Sequence, residues 1–185
     1  MRRESNISVK LKELDFRFEN SLVKVIANRN YPKINLPGMI VGPFEQGNDY
    51  EILFWVAEEL EEKGIVNFHD GLLFGPSELY RAQWKERVQV AGQISELPEE
   101  FYPRLRRYLS RLGKEINTNP EKVQELNKAN QLSRDIVNSR LKKIIALSTG
   151  PSQSDVVTRK LTTEEQLVYE RIGRFVKDWR KNILK

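Results

Sequence analysis

Gly42 and Gly47 stand with four residues between them, the outer spacing of a loop that cradles phosphates, and an apolar run leads into them. Phosphate chemistry there needs Lys and then Ser or Thr directly after the second glycine, to hold phosphate oxygens and magnesium. Asn48 and Asp49 occupy those places, Glu45 lies inside the loop, and Pro43 removes one backbone N–H that the loop would donate. Carboxylates aimed at a phosphate repel it, so the segment reads as a joint between elements. The single histidine, His69, has no histidine or cysteine partner for a metal and reads as a turn residue bonded locally within "NFHDG". Glu58, Glu59, Glu61 and Glu62 are candidate acid–base groups by type, but they fall at the polar end of an amphipathic helix, where a solvated face is expected. No serine lies in a nucleophile-elbow setting. The absence of cysteine excludes disulfides, thiolate metal sites and cysteine nucleophiles together. The expectation is a protein that is not an enzyme, with no catalytic residue, no metal and no cofactor.

Charge and aromatic patterning point instead to surfaces. Arg104, Arg106, Arg107, Arg111 and Lys114 crowd one predicted helix, interleaved with Phe101, Tyr102 and Tyr108. Core packing claims those rings first, beside Leu105 and Leu109. The arginines are left either to pair with an acidic neighbour or to track a nucleic-acid backbone. A second feature is the stripe Val168, Ile172, Phe175, Trp179 and Ile183 near the end of the sequence. It either completes the chain's own bundle or docks on a partner, and so do Ile136, Val137, Leu141 and Ile145 on a long preceding helix. A helix of 28 residues is about 42 Å long at 1.5 Å per residue, longer than a small bundle needs.

The elements that must position these groups follow from period and punctuation. "SLVKVIA" (21–27), "KINL" (33–36) and "MIVG" (39–42) read as short strands separated by Asn, Pro and Gly turn residues. From residue 48 the period is helical, with Asn48 and Glu51 as a capping-box variant, apolar Leu53, Val56, Ala57 and Leu60, and Gly64 as the stop. Further helices are predicted from Gly75-Pro76-Ser77 through Leu79, Tyr80, Trp84 and Val88, over 98–115 with Pro103 in or near the first turn, and from Asn119-Pro120 to Leu147. The last opens at Thr162 with the capping box Thr162-Thr163-Glu164-Glu165. "STGPSQSD" (148–155) is linker-like, and there is no internal repeat. The fold expected is mainly α, a small β-rich N-terminal domain at 1–46 followed by a helical domain at 47–185 of about five helices.

Composition agrees. The 185 residues are 39% hydrophobic, enough for a core, and the net charge is +5. Residues 48–71 carry seven acidic side chains against one basic, so the rest of the chain is more basic than the total suggests. No apolar run approaches the ~20 residues of a membrane span, and no apolar stretch follows Arg2 and Arg3 as in a secretory signal; a cytoplasmic protein is expected.

The order of these parts resembles the GINS family, in the branch of the second eukaryotic subunit and the archaeal two-three type. The likeness covers about residues 21–147. It is carried by "SLVKVIANRNYPKINLPGMIVGPF", then a polar hinge, then "EILFWVAEELEEKGIVNF", and later by "FYPRLRRYLSRL" and "DIVNSRLKKI". Gly42, Pro43, Phe44, Gly47 and Trp55 occupy the places of that family's domain junction, with Ala57 and Leu60 further along the helix. "HDGLLFGPS" departs from the proline-containing segment expected next. The resemblance implies a β domain first and a helical domain second, and a non-enzymatic scaffold in DNA replication. It implies a sister GINS subunit as partner, commonly two copies of each, in an assembly that joins MCM helicase to a RecJ-like, DHH-family protein at the nucleoid's replication forks. The runner-up is a stand-alone basic helical protein that binds nucleic acid through the arginines of the 98–115 helix.

Overall fold

The computed structural model describes residues 7–69, 74–88, 93–117, 119–150 and 158–184. The chain divides into two compact units after Leu73. In the first, helix α1 (Ile7–Glu19) leads into strand β1 (Leu22–Ala27), the hairpin β2 (Ile34–Leu36) and β3 (Met39–Val41), strand β4 (Asp49–Leu53), helix α2 (Phe54–Glu62) and strand β5 (Val66–Phe68).

β1 is the centre of this unit because its side chains alternate: Val23, Val25 and Ala27 are buried while Leu22 and Lys24 face out. It pairs antiparallel with β4 on one side, from Leu22↔Leu53 to Ile26↔Asp49, and with β5 on the other, giving the order β4-β1-β5. Phe18 from α1 meets the Phe54 ring at 4.5 Å, and Phe54 meets Phe68 at 5.5 Å, so rings from α1, α2 and β5 close over the inner sheet face. The β2–β3 hairpin turns at Pro37-Gly38, with Gly38 at φ +83° where a side chain would be strained.

Here the structure corrects the expected division at 46/47. Residues 49–53 alternate and form a strand of the first unit's own sheet, and α2 begins only at Phe54. The apolar stripe Val56, Ala57 and Leu60 was real, but Ile52 and Tyr50 belong to a period of two. Asn48 therefore caps no helix; its carbonyl accepts from the Ala27 N–H and its side chain donates to Glu45. Of the three expected strands only β1 belongs to this sheet; β2 and β3 pair with each other. Helix α1 had no counterpart in the sequence reading.

The second unit holds α3 (Pro76–Val88), α4 (Phe101–Glu115), α5 (Lys122–Thr149) and α6 (Thr163–Ile183). α3, α4 and α6 each pack against α5. Leu79, Phe101, Leu105, Leu112, Leu132 and Ile136 fill one core, and Ile94, Ile144, Leu147 and Leu161 a second. Pro103 is accommodated in the first turn of α4, where its missing N–H costs no helical bond. Thr162 forms the predicted capping box: Glu165 N–H donates to its hydroxyl at 3.3 Å, and Thr162 N–H donates to the Glu165 carboxylate at 3.0 Å. α6 runs parallel to α5, since Glu165 sits beside Arg140 and Gly173 beside the Ser148 carbonyl. α5 ends at Thr149, so α6 continues beyond it by about ten residues, roughly 15 Å.

Candidate functional site

The phosphate-loop outline is closed by its own hydrogen bonds. The N–H groups of Phe44, Glu45, Gln46, Gly47 and Asn48 donate to the Tyr31 carbonyl, the Tyr50 hydroxyl, the Asn30 side chain, the Ala27 carbonyl and the Glu45 carbonyl, at 2.7–3.1 Å. These are the donors that a phosphate would need. Gly42 is at φ +81°, and a side chain there would meet the Phe44 ring at 3.0 Å. The Gly42–Pro43 peptide is cis. Gly42, Pro43, Phe44, Gly47 and Trp55 thus lie inside the first unit rather than at a junction between domains. Phe44 is core, stacked edge-on against Tyr50 at 4.9 Å, while Trp55 is half-exposed.

His69 reaches a residue outside its own turn. Its Nε2 lies 2.8 Å from Asp49 Oδ1, bringing the end of β5 to the start of β4. Glu59 and Glu62 are exposed, as a solvated face requires, and Glu58 and Glu61 are half-buried. Among the described residues no group of three or more His, Asp or Glu side chains is placed to hold a metal. No described helix is long and apolar enough to cross a membrane.

The densest polar chemistry sits inside the second unit, at Arg140, whose side chain is fully buried on α5. Its Nη1 donates to Glu86 at 2.6 Å and to the Ser95 carbonyl at 2.9 Å. Its Nη2 donates to Glu165 at 2.6 Å and to the Lys160 carbonyl at 3.5 Å, and its Nε bonds the other Glu165 oxygen. All five guanidinium N–H groups therefore find acceptors. Lys143 donates to Glu86 at 2.6 Å, the Ser95 hydroxyl bonds Glu86, and the Tyr102 hydroxyl donates to Glu165 at 2.7 Å. Two cations and two carboxylates balance, so α3, α4, α5 and α6 are tied at one point with no net buried charge. A filled network of this kind specifies packing.

Burial alone would raise the Glu86 carboxyl, but hydrogen bonds from Lys143 and Ser95 and the charges of Arg140 and Lys143 outweigh it and hold it below its ordinary value of about 4.5. Burial, then the charge of Glu165, pushes the Tyr102 phenol far above its usual range, so it remains a donor. A carboxyl lowered on folding contributes stability above its unfolded value and loses it as pH falls through the folded one. Denaturant midpoints should therefore drop steeply below about pH 4.5 and more gently in Glu86→Gln, which has no proton to take up; equal slopes in the two proteins would refute this.

The surface candidates divide. Ile136 is core, 1% exposed, and not available to a partner. Val137, Leu141 and Ile145, one position further round α5, are each about 40% exposed. Val123 is exposed too, and the inside positions of α5 go to Ala129, Leu132, Ser133, Arg140, Ile144 and Leu147. Phe175, Trp179 and Ile183 are 71%, 56% and 63% exposed on the part of α6 that outruns α5, and Arg180 reaches back to the Thr149 carbonyl at 3.1 Å. On α4, Arg106 pairs with Glu164 at 4.0 Å, Arg111 with Glu115 at 3.8 Å, and Arg104 stacks over Phe74 at 6.0 Å. Arg107 is half-buried. The rings Phe101 and Tyr108 are buried, as core packing required; burial and then Glu125 push the Tyr108 phenol up to about 12. The apolar residues of α3 divide between its two faces. Leu79 points in, but Ala82 and buried Glu86 take the other inner places, and Tyr80, Trp84 and Val88 face solvent.

The missed residues carried a signal. Arg140 stands at the buried spacing 136, 140, 144, and Glu86 at 79, 82, 86; each is a charge in an apolar register.

A β module followed by a helical bundle centred on one long helix is the order of two known domain families. Residues 10–68 match the PSF2 N-terminal domain, and residues 74–184 match the GINS complex protein helical bundle domain. With the second match spanning well over half of it, the chain belongs to the GINS family, as a GINS complex subunit of the PSF2-like type acting in DNA replication. Domains of this family are scaffold units that associate with other GINS subunits. No curated protein matches the chain.

Proposed function

We propose that this chain is a non-enzymatic scaffold subunit that joins a sister GINS subunit, two copies of each, and that the assembly bridges MCM helicase and a RecJ-like protein of the DHH family. The observation that carries the sister contact is α6: its second half leaves α5 behind while continuing the same apolar stripe into solvent through Phe175, Trp179 and Ile183. Val137, Leu141 and Ile145 add a half-exposed row on α5. Exposed aromatic and aliphatic anchors on a helix face are what a helical partner buries. The bridge to the helicase and the RecJ-like protein rests on the family alone. The runner-up, a stand-alone binder using α4, is weakened because Arg106 and Arg111 already face carboxylates.

Phe175→Glu with Trp179→Glu tests the sister contact, because both side chains are exposed and the helical circular dichroism of the chain should persist. Affinity for a co-expressed sister subunit should fall by at least about 30-fold, the scale of losing a hot spot. Unchanged co-elution of the two subunits would remove α6 from the interface. Capture of the native chain from nuclease-treated cells tests the wider assembly, which predicts MCM and a RecJ-like protein alongside it.

A further inference from the structure

The outward face of α3 differs from that of α6. Tyr80, Trp84 and Val88 recur every four residues and are 48%, 63% and 55% exposed. On the helical wheel Arg87 borders this row on one side, and Arg81 and Lys85 border it on the other; all three cations are exposed. Of the acidic side chains of α3, Glu86 is buried on Arg140, and Glu78, at the N-terminal end of the Lys85 edge, is engaged by the Gly75 N–H at 3.1 Å. The face is therefore aromatic in the middle and positive along both edges.

We propose that this face binds single-stranded nucleic acid, with Tyr80 and Trp84 stacking on neighbouring bases and Arg81, Lys85 and Arg87 holding the phosphates. The rings are one helical turn apart, about 5–6 Å along the axis, a spacing that neighbouring bases of an extended strand can span. Every base has a π-face, so the contact is tolerant of sequence, and cations beside the rings supply the complementary charge. The size of the patch favours a strand over a folded partner. With rings of about 150–250 Å² each, the exposed parts of Tyr80 and Trp84 amount to on the order of 250 Å². A stable protein interface takes about 800 Å² from each partner. The α6 stripe is longer because half-buried Val168 and Ile172 extend it back towards α5, whereas the α3 stripe spans only two turns.

Fluorescence anisotropy of the full chain with a labelled oligothymidylate of about twelve nucleotides, at low salt, tests the proposal. Trp84→Ala should weaken binding about tenfold and Trp84→Phe much less. Three phosphate contacts on a single strand predict a log–log salt slope of about −2, which Arg81→Glu with Lys85→Glu should flatten while abolishing most binding. The helical spectrum should be unchanged in each, because every altered side chain faces solvent. No binding by the parent chain would overturn the proposal. So would a loss confined to Arg106→Glu with Arg107→Glu, which places the strand on α4. A Trp84→Ala chain that keeps its oligonucleotide affinity but no longer holds the sister subunit would overturn it as well, since the face then seats protein.

Discussion

Arg140→Ala is expected to destabilise the helical unit by about 3–5 kcal/mol, enough to unfold it where the parent chain is only marginally stable. The substitution removes the guanidinium that satisfies Glu86 and Glu165 and leaves both carboxylates inside, with only Lys143 beside one of them. It also removes the central donor of a network shared by four helices, so the damage is not confined to one contact. Arg140→Lys should recover only part of the loss, because one ammonium cannot reproduce a planar fork that reaches Glu86 with one nitrogen and Glu165 with the other two. Urea melts followed by helical circular dichroism give the comparison. An Arg140→Ala chain within 1 kcal/mol of the parent would mean that water or a rearranged Lys143 replaces the guanidinium at little cost.

Phe44→Ala is expected to cost about 3–5 kcal/mol in the β-rich unit. Phe44 is 1% exposed, rests edge-on against Tyr50, and lies over Gly42, whose missing side chain makes room for the ring. Its backbone exchanges two bonds with Tyr31 at 2.8 and 2.9 Å, so the ring and the bridge hold the same loop. The cavity left by alanine cannot collapse easily between two short strands. Because each unit has its own buried cluster, amide exchange should accelerate in β1, β4 and β5 while α5 keeps its protection. Equal acceleration in both units would show that they unfold together.

The two substitutions also mark what the sequence could and could not reveal. Helix starts with a mechanism were legible: Pro76 in the first turn of α3, and the capping box at Thr162, appear where predicted because their signals are local. Strand β4 was not, because Tyr50, Ile52 and Leu53 run directly into the helical stripe at Val56, Ala57 and Leu60 with no breaker between them. Only pairing to β1, a contact across about 25 residues, separates the two periods. The division between domains was misplaced for the same reason. The interior ion network was half visible: Glu165 was recognised as a cap, but its second role toward Arg140 depends on how α6 lies along α5, which no local pattern encodes. Of the candidate interface residues, Phe175 and Trp179 are exposed, whereas Ile136 differs from Val137 by one step of 100° and falls inside.

The parallel course of α5 and α6 has a consequence for how the chain is made. Arg140 leaves the ribosome before Glu165, which follows it by 25 residues, and the start of α6 must be brought back beside the middle of α5 before the two can meet. Until then Glu86 is the one carboxylate of the network that the growing chain can offer. Helices α3, α4 and α5 precede α6 and can assemble first, so the bond to Glu165 arrives last although it spans 25 residues against 54 for the bond to Glu86. Completion of the fold thus waits on the same helix whose far end carries Phe175 and Trp179, so that exposed apolar stripe is presented only as the interior at the helix's other end is finished.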